Sequence, residues 1–114
     1  MSRSRERLTQ MLTAARLALS YVDGMTKDEF LDDQRTQQAV VMNLLIISEA
    51  VARLMQDDAP LLATRPDMKW DLMRGMRNRT AHGYFEINMD VVWDTVCEAL
   101  PHLSRELPAI IVSV

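Results

Sequence analysis

The chain has 114 residues, a single cysteine and a net charge of -3, with 48% of residues apolar and 25% charged. That length suits one domain over 1–114 that buries a core without disulfide or metal support, and the balance is that of a soluble folded protein, not a disordered one. One cysteine excludes an intrachain disulfide, the apolar stretches read as shorter than a membrane span, and "MSRSRERLTQ" lacks the apolar region of a secretory signal, so a cytoplasmic location without membrane contact is expected.

Few glycines and prolines interrupt the chain, and apolar residues recur at three and four positions, which predicts an all-α fold. Leu8, Leu12, Ala15, Leu19 and Val22 form one stripe of a first helix over about 3–22, closed by Gly24. "TKDE" at 26–29 has the spacing of a capping box, with Thr26 as N-cap and Glu29 reaching back, and opens a short helix that stops near Asp33. "AVVMNLLII" at 39–47 resembles a buried strand, but its periodicity continues through Ala50, Val51, Leu54 and Met55 without a break, which favours a long central helix. The breadth of its apolar surface points to a dimer.

A loop with Pro60 and Pro66 follows, after which Asp67 is placed to cap a helix running to about Gly83. The last helix starts near Asn88 and buries Val92, Val96, Leu100, Leu103, Leu107 and Ile110 or Ile111. Pro101 is expected to bend it, because the hydrogen bond to the Cys97 carbonyl is lost. The sum is a four-helix bundle with one additional short helix. The nine methionines, Trp70 and Trp93 are assigned to packing, with Met73 and Met76 placed to shape a dimer contact. Cys97 lies on a helix face with no metal-ligand or redox partner nearby.

The scarcest polar chemistry gathers in "RNRTAHGY", 77–84, at the end of the fourth long helix. Arg77 can grip a phosphate through two parallel hydrogen bonds, and His82, five residues on, can move a proton near neutral pH. Guanidinium and imidazole suffice for metal-free RNA cleavage, in which a base takes the ribose 2'-hydroxyl proton, an acid protonates the leaving 5'-oxygen, and positive charge steadies the phosphoryl oxygens. The same residues also suit a helix C-terminus, where cationic side chains meet the negative end of the dipole. The second histidine, His102, falls on a polar face with Glu98 and Glu106, so one chain offers one catalytic imidazole. A two-fold dimer would bring two copies of His82 and Arg77 to one cleft.

Residues 65–79 carry Arg65, Lys69, Arg74, Arg77 and Arg79 against Asp67 and Asp71, a positive segment in an acidic protein, and Lys69, Arg74 and Arg79 are the candidate RNA contacts. Glu49, among apolar neighbours, needs a partner, either an arginine of the motif helix in a structural pair or Arg77 and His82, which it would orient. Glu86, Asp90, Asp94 and Glu98 recur at intervals of four, as a solvated face or an acidic docking stripe.

The motif Arg-x4-His-x-Tyr, met by Arg77, His82 and Tyr84 with Asn78 directly after the arginine, resembles the HEPN superfamily and within it the HepT toxins. "VVMNLLIISEAVARL" at 40–54 and "WDLMRGMRNRTAHGYF" at 70–85 are similar to HepT sequence in order and spacing, with Ser48 where a small residue, often glycine, is expected. The resemblance implies a dimeric HEPN-type bundle, a homodimer whose Arg77 and His82 face each other across a cleft, and a metal-independent endoribonuclease without cofactor, with Asn78 and Glu49 in support. It further implies a type VII-like toxin–antitoxin module, in which a minimal nucleotidyltransferase of the MNT type neutralises the toxin by AMPylation of Tyr84. The alternative is a non-catalytic HEPN module that binds nucleotide or substrate for such a nucleotidyltransferase.

Overall fold

The structure, a computed structural model, describes residues 3–81 and 86–114, without the side chains of 76–81. Among the described residues it is helical throughout: α1 (Arg3–Tyr21), α2 (Lys27–Leu31), α3 (Gln34–Asp57), α4 (Ala59–Ala63), α5 (Trp70–Ala81), α6 (Met89–Asp94) and α7 (Leu100–Val112). A 3-10 turn, Pro66–Met68, precedes α5, and a π turn, Thr95–Ala99, joins α6 to α7.

In α1, Leu8, Met11, Ala15 and Ala18 are fully buried, and Leu19 of the expected stripe is only half-buried. The alanines at 14, 15 and 18 explain the difference: their short side chains let α3 and α7 both close on α1, which centres the contact face on them and leaves Leu19 packed at its edge. Gly24 ends the segment in the left-handed region at φ +77, which a glycine adopts without steric penalty.

Thr26 and Glu29 form the expected capping box: the Thr26 hydroxyl accepts from the Glu29 N–H at 3.2 Å, and the Glu29 carboxylate accepts from the Thr26 N–H at 2.8 Å. The helix it starts buries Phe30, whose ring meets Trp93 at 5.3 Å between centroids. Asp33 then caps α3, accepting from the Thr36 N–H at 3.1 Å and from its hydroxyl at 2.6 Å.

The stretch 39–47 is helix, and α3 is the centre of the bundle, packed by α1 on one side and α5 on the other. Val40, Ile47, Val51 and Leu54 are fully buried along it. By length and composition α3 is long and apolar enough to cross a membrane, contrary to the expectation from the apolar stretches. Half of its most apolar window is buried inside the bundle, as a core helix requires.

Between α3 and α5 the chain makes α4 and the 3-10 turn instead of a plain loop, so the bundle carries a short helix there in addition to the expected α2. Pro60 fits α4 because it sits in the first turn, where its missing N–H removes no bond. Asp67 does not cap α5. Its two carboxylate oxygens accept from Arg65 at 2.9 and 2.8 Å, and the chain enters α5 through Lys69 in the left-handed region at φ 54. Trp70 fixes that entry by donating its indole N–H to the Leu62 and Arg65 carbonyls, both at 3.0 Å.

Asn88 caps α6 as expected, and Val92, Val96, Leu100, Leu103, Leu107 and Ile110 are buried, with Ile111 half-buried. The distortion expected at Pro101 takes the form of the π turn, in which the Leu100 N–H bonds the Thr95 carbonyl. A turn wider than the α-helix makes room for the proline ring, which supplies no N–H for the Cys97 carbonyl.

Ser48 is fully buried and donates its hydroxyl to the Met73 carbonyl at 2.8 Å, joining α3 to α5. A buried neutral hydrogen bond of this kind contributes about 1 kcal/mol, so Ser48→Ala should lower stability by that amount in urea unfolding, and an unchanged midpoint would remove the bond from the account. The Thr36 hydroxyl and N–H hold the Asp33 carboxyl below its ordinary value. Its stabilising contribution is therefore complete above the unfolded value of about 3.9 and is lost as pH falls through the lower folded value. Asparagine caps without titrating, so the urea midpoint of Asp33→Asn should fall less between about pH 5 and about pH 2 than that of the parent.

Candidate active site

Helix α5 carries positions 77–79 in its final turns and ends at Ala81, directly before His82 in the chain. The side chains of Arg77, Asn78 and Arg79, and the whole of His82 and Tyr84, lie outside the described residues, as do the Met76 side chain and the expected helix end at Gly83. What the structure does describe is the platform under them. Met73 and Trp70 bury one side of α5 against the core, and Ser48 ties its middle to α3, one turn before Arg77.

On the α3 side of this platform a cleft of about 420 Å³ is lined by Glu49, Arg53, Gln56 and Arg74. Glu49 is half-exposed here, not enclosed by apolar neighbours, and accepts from Arg53 Nε of its own helix at 3.1 Å. The sequence reading missed Arg53, although a Glu–Arg pair four apart on one helix is a recognisable signal. Arg74 is half-exposed in the same cleft, and its nearest carboxylate, Asp71, is 3.9 Å away.

Lys69 does not join Arg74. It lies at the start of α5, exposed, beside a separate groove with Pro66 and Trp70. Arg65 is also withdrawn from the positive segment: besides Asp67 it donates to Glu106 of α7 at 2.7 Å, so its charge is spent within the fold. Of this segment's cations whose side chains are described, Arg65, Lys69 and Arg74 are turned toward different neighbours and do not form one basic patch.

His102, expected at the surface, is half-buried on α7 within electrostatic reach of Asp67. The acidic series is also divided. Asp90 pairs with Lys27 of α2 at 2.9 Å and holds that ammonium above its ordinary pKa, while Glu86, Asp94 and Glu98 stay exposed. Cys97 is exposed, and partial desolvation, then Asp94 and Glu98, push its thiol up, which keeps it protonated at neutral pH. Among the described residues no three His, Cys, Asp or Glu side chains gather as a metal site requires.

Residues 11–110 match the family described as ribonuclease HepT-like. A protein of Methanocaldococcus jannaschii named as a candidate RNase is 37% identical, over 82% of this chain and 74% of its own length. A Caldanaerobacter subterraneus protein, also named as a candidate RNase, is 28% identical over 97% of this chain and 96% of its own. A candidate ribonuclease HepT of Thermococcus cleftensis is 34% identical over 75% and 79% respectively. No solved structure matches the chain. With the matched region running from α1 to α7 through every element of an all-helical HEPN-type bundle, the chain belongs to the HepT-like ribonuclease family.

Proposed function

We propose that this protein is a metal-independent endoribonuclease, the cytoplasmic toxin of a type VII-like toxin–antitoxin module, folded as one domain and active as a homodimer. The observation that carries the reading is the family match, which spans the whole Arg77, His82 and Tyr84 motif.

In this reading Arg77 grips the scissile phosphate, and the two His82 imidazoles of the dimer share the proton transfers, one from the 2'-hydroxyl and one to the leaving 5'-oxygen. Asn78 adds a hydrogen bond beside Arg77. Glu49 acts in support, through the charge balance of the cleft where it meets Arg53 and Arg74. Arg74, Arg79 and Lys69 bind the RNA backbone, with Lys69 reaching a more distant phosphate because it lies on the far side of the α5 entry.

Two features support a dimer with its cleft at this end. Leu17 and Tyr21 of α1 and Met42 and Ile46 of α3 are exposed, an apolar face on neighbouring helices that a second copy would cover. Between those helices runs a groove of about 670 Å³, and Glu49 borders both this groove and the cleft holding Arg74. A partner covering the apolar face would lie beside the cleft, with Glu49 between them.

The antitoxin is a nucleotidyltransferase of the MNT type that transfers AMP to Tyr84. A nucleotide there, two residues from His82, places a negative phosphate where it competes with RNA for Arg77.

The test is cleavage of total cellular RNA by the purified, unmodified protein in excess EDTA, beside His82→Ala. The parent should cleave, and the variant should be slower by about a hundredfold or more. Absence of cleavage by both, with intact mass showing Tyr84 unmodified, would transfer the assignment to a non-catalytic module that binds nucleotide or substrate for the nucleotidyltransferase.

A further inference from the structure

The opposite side of α5 carries a second surface that the nuclease reading does not use. Helix α5 packs chiefly on α3, whereas α6 packs on α2 and α7 on α1. The seam between α5 and the C-terminal helical segment stays open as a groove of about 360 Å³. Its apolar lining includes Leu72, Val91 and Ala99, and its rim is Asp71, Asp94 and Glu98.

Leu72 is 69% exposed in this groove, one position before the buried Met73. An exposed leucine by itself is ordinary, but here it borders a concave apolar seam between two helices. Among the described residues the rim is charged in one sense only. Asp94 and Glu98 form no ion pair among the described residues, and Asp71 has only the long 3.9 Å approach of Arg74. The contrast with Asp90, one turn earlier and neutralised by Lys27, is informative. That acid is paired inside the fold, while the three at the groove direct their potential at whatever enters it.

We propose that the seam between α5 and the α6–α7 segment is a docking groove for a basic amphipathic helix of a partner protein. Apolar side chains of that helix enter the groove against Leu72 and Val91, and lysines or arginines on its flanks meet Asp71, Asp94 and Glu98. The complementarity of charge argues for this occupant over a second copy, since the chain is itself acidic and its exposed apolar residues Leu17, Tyr21, Met42 and Ile46 lie on α1 and α3 instead. The mode is that of a helix laid in a groove, with apolar anchors at helical spacing. It does not depend on RNA cleavage, and its test reads binding alone.

The probe is a labelled helical peptide of about 15 residues, with leucines at i, i+3, i+4 and i+7 between lysines, and a peptide of equal charge with the leucines replaced by serine. Fluorescence anisotropy should show the first binding the full chain more tightly than the second. Leu72→Ser, and separately Asp94→Asn with Glu98→Gln, should each weaken it about tenfold or more, whereas Glu6→Gln with Asp23→Asn, which removes equal charge elsewhere, should change it less than about twofold. All substituted residues are exposed, and far-UV circular dichroism checks that each variant is folded. Equal weakening by the control pair, no preference for the leucine peptide, or no binding would overturn the proposal. So would sedimentation showing that Leu72→Ser turns a dimer into a monomer, because the occupant would then be a second copy.

Discussion

The Ser48 hydroxyl meets the Met73 carbonyl inside the bundle, and the placement of everything α5 carries depends on that bond and the packing around it. Helix α5 has one main neighbour, α3, and a short amphipathic helix of this length would not hold its position by propensity alone. Three contacts determine it: the Trp70 indole locked onto the Leu62 and Arg65 carbonyls at its start, Met73 buried in the core, and Ser48 fastening the backbone at the same turn. A hydrogen bond from one helix to the backbone of the next fixes axial position more tightly than apolar contact, which tolerates sliding. The proposed phosphate-binding arginine lies one turn beyond this fastening point, so the bond sets the distance between the motif helix and the Glu49 and Arg53 of α3.

Local signals in the sequence were read correctly where the physics is local. The Thr26 and Glu29 capping box, the Asn88 cap, the turn at Gly24 and the buried stripe of the last helix each depend on residues within a few positions of one another. The choice of helix over strand for 39–47 also followed from periodicity that runs beyond the apolar stretch. Most of what escaped was decided at long range, the Glu49–Arg53 pair within α3 being the exception. Asp67 has the composition of a cap, but Arg65 captures it, and Arg65 is itself held by Glu106, 41 residues away. No window around Asp67 contains that information. The same holds for Ser48, whose importance depends on a carbonyl 25 positions along the chain.

The candidate site was legible in a different sense. Motif spacing names Arg77, His82 and Tyr84 as candidates, whose side chains lie outside the described residues, while charge counting overstated what Arg65, Lys69 and Arg74 present together, because cations adjacent in sequence are distributed by the fold. Arg65 joins a structural pair network, Lys69 turns outward at a left-handed residue, and Arg74 lines the cleft with Glu49. Formal charge over a segment is thus a poor guide to potential at a surface, since each ion pair inside the fold removes a cation from what a polyanion meets. The Glu86 to Glu98 series shows the same effect with the opposite sign, where one of four acids is neutralised by a helix far away in sequence.

The wide turn at Thr95–Ala99 also bears on which length changes this chain tolerates. In a regular helix every added or removed residue swings all later side chains by about 100°, so Leu103, Leu107 and Ile110 would leave the face they present to α1. The π turn holds one residue more than an α turn needs. A chain one residue shorter between 95 and 99, with Pro101 replaced by a residue that carries an N–H, would close it to an ordinary turn and keep the three side chains against α1, whereas the same loss from α7 would tear them away. The segment works as a length buffer for this chain, on condition that the proline goes with the residue.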